Sequence, residues 1–189
     1  SLYLTGDDSI NGRELWKSDG TTAGTVLVKN IRSGVMGSAP ESFTALGNHL
    51  YFTADDGIHG RELWRSDGTA NGTVLVKDIV SGTDSSYPYA LTPLGNTLYF
   101  SALYEQGYEL WKSDGTTNGT VLVKDIALGA AGSQPTDLTA VGSMLFFSAY
   151  DQTYNVELWK SDGTTDGTVL VKDIALGAAG SQPTDLTAV

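Results

Sequence analysis

Glu-Leu-Trp occurs four times in a chain of 189 residues, at Glu14-Leu15-Trp16, Glu62-Leu63-Trp64, Glu109-Leu110-Trp111 and Glu157-Leu158-Trp159. The tryptophans are 48, 47 and 48 residues apart. Each copy runs on into Ser-Asp-Gly-Thr and then Gly-Thr-Val-Leu-Val-Lys. A unit of this length cannot bury both of its faces alone, so the chain is expected to be one cooperative array, residues 1–189, rather than two independent domains.

The second copy shows how one unit is built. Glu41–Leu46 reads as a short strand, and Gly47-Asn48 as a tight hairpin turn. His49–Ala54 is an aromatic-rich second strand, Asp55–Gly60 a polar loop, and Arg61–Ser66 a third strand. Asp67–Gly72 carries two glycine turn signals, and Thr73–Ile79 is a β-branched fourth strand. No segment sustains a helical period. The stretch Ile126–Ala131 is flanked by glycines and Pro135, and it reads as the crossing from one unit to the next.

Four short antiparallel strands repeated at this period define an all-β fold, a β-propeller of four four-stranded blades. Blades two, three and four are expected over residues 40–79, 88–126 and 135–174. Blade one is expected to combine residues 1–31 with residues 184–189. Leu2–Thr5 matches a second strand and Pro183–Val189 matches a first strand, so the two are expected to pair and close the ring. The alternative is an eight-bladed ring in which two chains exchange these strands, and the expected solution state is accordingly a monomer or a strand-exchanged homodimer.

The recurring polar residues have structural readings. The tryptophans are expected to anchor blade-to-blade packing rather than to stack on sugars. Ser-Asp-Gly-Thr, at 18–21, 66–69, 113–116 and 161–164, reads as a turn in which the aspartate accepts N–H bonds and glycine takes positive φ. A calcium loop would need 6–8 oxygens, and each turn offers one sure carboxylate. With Trp16 opposite Leu27, Glu14 is expected to face Lys29 as a cross-strand ion pair, and likewise Glu62 with Lys77, Glu109 with Lys124 and Glu157 with Lys172. Thr44, Thr92, Thr139 and Thr187 on the first strands are candidates to line a channel holding water or a cation, with Asp137 and Asp185 nearby. His49 and His59 lack a metal-binding spacing. His59 with Asp55 and Asp56, and the Asp7-Asp8 pair, read as solvated loop. Asn71-Gly72-Thr73 and Asn118-Gly119-Thr120 match a glycosylation sequon but read as turn chemistry.

No catalytic, metal or cofactor residue is assigned. The absence of cysteine excludes disulfides and thiolate sites. A net charge of −11 disfavours nucleic acid, because no basic stripe is present to release counterions. No apolar run is long enough to span a bilayer. The chain opens inside a strand pattern with no signal peptide in view, which reads as an excised fragment or a mature form.

The run Asp56-Gly57-Ile58-His59-Gly60-Arg61-Glu62-Leu63-Trp64-Arg65-Ser66-Asp67-Gly68-Thr69, followed by Gly72-Thr73, closely resembles the bacterial ELWxxDGT repeat family. All four copies carry the Glu-Leu-Trp and Asp-Gly-Thr cores, whereas Gly107-Tyr108 and Asn155-Val156 depart from the upstream Gly-Arg. The resemblance implies an exported or surface-exposed bacterial protein and supplies no catalytic residues. Residues 157–189 repeat 109–141 with one difference, Asp166 for Asn118, which implies recent duplication or deliberate construction. The function expected is a non-enzymatic scaffold for an unknown protein or glycan partner, or an amplified propeller with no ligand. The alternative is a multivalent lectin with one site per blade, for which Tyr3, Tyr51, Tyr99, Tyr104, Tyr108, Tyr150 and Tyr154 are stacking candidates. A propeller-type hydrolase is disfavoured, since unique titratable groups do not gather in the sequence.

Overall fold

The computed structural model describes residues 1–105, 107–128 and 131–189. Among these residues there is no helix, and fifteen strands form four antiparallel sheets. The first sheet is β1 (Leu2–Asp7), β2 (Arg13–Ser18) and β3 (Val26–Lys29). The second is β4 (Glu41–Leu46), β5 (His49–Asp55), β6 (Arg61–Ser66) and β7 (Val74–Lys77). The third is β8 (Tyr89–Leu94), β9 (Thr97–Tyr104), β10 (Gly107–Ser113) and β11 (Val121–Lys124). The fourth is β12 (Thr136–Val141), β13 (Met144–Asp151), β14 (Asn155–Ser161) and β15 (Val169–Lys172). Each sheet is a simple meander, with its strands in chain order. The chain divides into two compact units, Ser1–Tyr87 and Pro88–Val189, each holding two sheets.

The expected closing strand is not among the pairings. Residues 184–189 form no strand, and β1 pairs only with β2, so the first sheet has three strands. The crossing at Ile126–Ala131 begins as a turn, and Gly129 and Ala130 within it lie outside the described residues.

Sheets pack face to face within each unit. In the first, Leu15 and Val28 meet Leu50, Phe52 and Trp64 of the neighbouring sheet. In the second, Leu110 and Val123 meet Leu145, Phe147 and Trp159. Phe52, Phe100 and Phe147 are fully buried, each opposite the tryptophan of its own sheet. The tryptophans are therefore packing anchors. Burying one removes about 150–250 Å² from water, or roughly 4–6 kcal/mol at the usual coefficient. The indole N–H groups of Trp16, Trp64 and Trp159 have no acceptor among the described residues. Leaving a donor unmet costs about 1–3 kcal/mol, so the apolar gain decides the placement.

One irregularity recurs in all four sheets. Trp16 pairs with Leu27 but Leu15 pairs with Lys29, so Val28 is the extra residue of a β-bulge. The same shift falls between Leu63 and Trp64, Leu110 and Trp111, and Leu158 and Trp159. The bulge turns Val28 and Val123 inward, where they are 6% and 4% exposed.

Candidate functional site

The bulge overturns the expected Glu–Lys ion pairs. It moves Lys29 opposite Leu15, and its Nζ donates instead to the Thr73 carbonyl of the neighbouring sheet at 2.7 Å. Lys124 does the same to Thr168 at 2.8 Å. Among the described residues Glu14, Glu109 and Glu157 have no lysine partner, and these three and Glu62 are almost fully buried.

Each of these carboxylates clamps the connection that leaves its own sheet. Glu14 accepts bonds from the backbone N–H groups of Ile31 (3.0 Å), Arg32 (2.9 Å) and Ser38 (3.0 Å), and from the Ser38 hydroxyl (2.6 Å). Glu62 accepts from Ile79 N (3.2 Å), Ser86 N (2.7 Å) and Ser86 Oγ (2.5 Å). Glu109 accepts from Ile126 N, Ser133 N and the Ser133 hydroxyl. Glu157 accepts from Ile174 N, Ala175 N, Ser181 N and the Ser181 hydroxyl. A buried carboxylate must be met by donors, and here the donors are the backbone of a loop with no ladder of its own.

The environments of the four differ. Burial pushes Glu62 up to about 7 from an ordinary 4.5, and the nearby Asp78 carboxylate adds to the rise. Glu109 is raised for the same reasons, burial first and then Asp125. Burial acts on Glu157 in the same sense, but the bonds from Ser181, Ala175 and Ile174 outweigh it and hold that group below its ordinary value. In the first sheet Asn30 stands where Asp78 and Asp125 stand in the next two, and it donates to Asn11 Oδ1.

The serines of this clamp were not singled out from sequence. Their signal was a serine two residues before each of Pro40, Pro88, Pro135 and Pro183, and 24 residues after each glutamate. The residue between serine and proline is strained every time, with φ of +44° at Ala39 and Tyr87, +45° at Gln134 and +49° at Gln182. A backbone bond holds it, as from Ala39 N to Arg13 O and from Gln134 N to Tyr108 O.

The Asp-Gly-Thr turns behave as expected. Asp19 Oδ1 accepts from Thr21 N (2.9 Å) and Thr21 Oγ1 (2.7 Å), and Ser18 Oγ meets Thr25 Oγ1 at 2.7 Å. The same bonds recur around Asp67, Asp114 and Asp162. Hydrogen bonds from the following threonine hold Asp19, Asp67 and Asp162 below the usual carboxylate range. The sequon threonines Thr73 and Thr120 belong to these turns. Among the described residues no group of three or more His, Cys, Asp or Glu side chains is placed to hold a metal ion.

Two of the four first-strand threonines bond to the equivalent segment of the following repeat. Thr92 Oγ1 donates to Leu138 O at 3.2 Å, and Thr139 Oγ1 to Leu186 O at 3.0 Å. Asp137 Oδ1 accepts from Asp185 N at 3.1 Å. His59 Nδ1 lies 2.7 Å from Asp56 Oδ2, and this bond raises the histidine. Asp55 is not free loop, because Arg32 Nη1 pairs with it at 2.7 Å. Of the stacking candidates, Tyr51 and Tyr99 are buried and Tyr3 packs against the core of its unit. Tyr104 sits edge-on to Trp111 at 6.0 Å, and Tyr108 to Tyr89 at 5.3 Å.

At one end of each sheet the loop after the second strand meets the outgoing connection. A Cβ on Gly12 would lie 2.5 Å from Val35 O, one on Gly60 2.3 Å from Asp84 O, and one on Gly107 2.3 Å from Gly132 Cα. At this end the copies differ. Arg13, Arg61, Tyr108 and Val156 are equivalent, as are Ala39, Tyr87, Gln134 and Gln182. In the second sheet Arg61 Nη1 bonds Ala39 O at 3.0 Å and lies 4.0 Å from Glu41, whereas the third sheet places the Tyr89–Tyr108 pair there.

No family model and no curated protein matches the chain. Solved structures do. A puromycin hydrolase mutant complexed with PGG is similar over 97% of this chain, with a TM-score of 0.57 and 16% identity, but only 27% of that protein is covered. One of two prolyl endopeptidases studied together is similar over 89% of this chain, with a TM-score of 0.57, 16% identity and 24% of its own length covered. The chain thus spans about a quarter of these proteins, and at such identity the likeness bears on fold alone. It agrees with an all-β chain of repeated antiparallel sheets of the propeller kind.

Proposed function

We propose that the chain is a non-enzymatic propeller scaffold that presents the divergent ends of its blades to a protein partner outside a bacterial cell. One contrast supports this reading. The polar residues common to all copies are consumed in folding, as clamps, turns and inter-sheet bonds. The residues that differ between copies collect at one end, on a rigid frame, where loop positions are suited to recognition. The resemblance of the Glu-Leu-Trp and Asp-Gly-Thr cores to exported bacterial repeats supports the location. The sheets belong, in this reading, to a closed ring in which residues 184–189 act as the missing strand beside β1.

The test is selection of a displayed peptide library on the folded chain, with a glycan array run in parallel. Peptide binding that is lost in a Tyr87→Ala, Tyr89→Ala, Tyr108→Ala variant of unchanged melting temperature supports the reading. Sugar binding with no peptide selected overturns it in favour of a lectin.

A further inference from the structure

The loops that follow the second strands of the first two sheets are closed in the same way. In the first, Asp8 Oδ1 accepts from Ile10 N (2.9 Å) and Asn11 N (2.7 Å), and Asn11 Nδ2 donates to Asp8 Oδ2 at 2.6 Å. In the second, Asp56 Oδ1 accepts from Ile58 N and His59 N, both at 2.8 Å, and His59 Nδ1 lies 2.7 Å from Asp56 Oδ2. One aspartate thus gathers two backbone N–H groups on one oxygen and a side chain on the other. That side chain is an amide in the first copy and an imidazole in the second. Of the two, only the imidazole changes its charge near neutral pH.

The charges that reach His59 favour its cationic form. Asp56 belongs to its own loop, Glu62 to β6 and Asp78 to the connection after β7. The bond to Asp56 raises the histidine; burial opposes this, and the charges of Asp56, Asp78 and Glu62 add to the rise. Asp78 Oδ1 is buried and has no donor among the described residues, so a positive charge nearby stabilises it. The neighbouring cations are engaged elsewhere: Arg32 pairs with Asp55 at 2.7 Å, and Arg61 Nη1 donates to Ala39 O at 3.0 Å. Burial acts to raise Asp56, but the bonds from His59 and Ile58 outweigh it and hold the carboxyl below its ordinary value. Asp56 therefore stays ionised and has no hydrogen to give, so the proton of the bond sits on His59 Nδ1.

The loop touches two connections. A Cβ on Gly57 would lie 3.0 Å from Arg32 Nε, in the connection that leaves the first sheet. A Cβ on Gly60 would lie 2.3 Å from Asp84 O, and Arg61 N donates to Ser85 Oγ at 2.8 Å, both in the connection that leaves the second. Slack in this loop is therefore felt on both sides.

We propose that Asp56 and His59 form a proton-operated latch, in which a protonated His59 holds residues 56–59 closed and loss of that proton loosens them. The equivalent loop of the first sheet, latched by Asn11, does not respond. A neutral imidazole has one hydrogen to place on either nitrogen, so the bond to Asp56 loses its charge and competes with the other tautomer. The folded value of His59 lies above its ordinary 6.5, so the stabilisation is fully present below pH 6.5 and is lost as pH rises through the folded value. Glu62 gives up its own proton in this interval, and the charge it gains favours the imidazolium, so the two titrations are linked.

The experiment is NMR of the 189-residue chain from about pH 5 to about pH 9, reading the His59 ring nitrogens and the water exchange of loop amides, corrected for the intrinsic effect of pH. The expected result is a His59 midpoint above 6.5 and a neutral form with its hydrogen on Nδ1. Corrected exchange of the Ile58 and His59 amides is expected to quicken severalfold across that midpoint, while Ile10 and Asn11 stay constant. His59→Asn is expected to abolish the response and keep Ile58 slow throughout, because the first copy already carries an amide at this place. Asp56→Asn is expected to lower the His59 midpoint. A midpoint at or below 6.5, or one unmoved by Asp56→Asn, overturns the latch. A response of Ile58 that persists in His59→Asn overturns it by passing the effect to Glu62 or Asp78. Equal responses at Ile10 and Ile58, or a raised histidine whose neighbours keep a constant exchange, overturn it as well.

Discussion

Ser86 and Glu62 lie 24 residues apart in the chain and are joined twice, by Ser86 N to Oε1 at 2.7 Å and by Ser86 Oγ to Oε2 at 2.5 Å. The pair ties the end of a loop to the strand from which that loop departed. A carboxylate with two oxygens suits this task, because it accepts several bonds at once and lets an irregular connection satisfy its backbone inside the protein.

The clamp makes stability depend on pH. Glu62 has a folded value of about 7, above its ordinary 4.5, so the folded state holds the proton more tightly than the unfolded chain. The associated stability is fully present below pH 4.5 and is lost as pH rises through about 7. The change is at most about 3 kcal/mol. Urea midpoints taken from about pH 5 to pH 8 are expected to fall with pH. Glu62→Gln is expected to flatten this slope and to lower stability at the acid end, because its amide group brings donors to the donors of Ser86. An unchanged slope in the variant would show that another group titrates.

Gly72 is required by its neighbour rather than by its backbone. A Cβ there would stand 2.0 Å from Asp67 Oδ1, although its φ is ordinary. Gly72→Ala is expected to cost about 2–3 kcal/mol by overpacking. Asp67→Ala removes two exposed bonds and is expected to be the milder of the two changes. The double variant is expected to be less damaged than the sum by about 1 kcal/mol or more, measured as a double-mutant cycle. Strict additivity would mean that the clash is relieved by other means.

Lys112→Met is expected to cost about 1–2 kcal/mol, the value of a charge-assisted bond to a carbonyl. Its readout is local. Amide exchange in the turn around Gly163, in the next sheet, is expected to quicken more than exchange in the third sheet itself.

Asn118→Asp is expected to leave stability within about 0.5 kcal/mol. The fourth sheet already carries Asp166 at this exposed position with the same turn bonds around Asp162. A larger loss would mean that the two nearly identical copies are not equivalent.

The sequence made the strands legible because their signals are local. Glycine-containing turns, aromatic second strands and the β-branched fourth strand lie within a few residues of what they specify, and β4 to β7 fall within two residues of their expected limits. The glutamate's role was not legible from alternation alone. A single extra residue, Val28, shifts Lys29 off the expected register and frees Glu14 for a partner 24 residues away. Bulges of this kind are tertiary adjustments that pull a valine into the neighbouring sheet, and period-two counting does not anticipate them. The Ser-x-Pro recurrence was visible, but its meaning depends on where the loop travels.

The bond from Lys112 to Gly163 spans 51 residues, as does the bond from Lys17 to Gly68. Within each compact unit the joint between its two sheets is thus written one repeat ahead of itself. A stretch of gene copied whole brings a plug for the unit that follows and a socket for the unit before. Such an array can grow or shrink without new surfaces being invented, and residues 109–141 and 157–189, which differ at one position, are interchangeable in that sense.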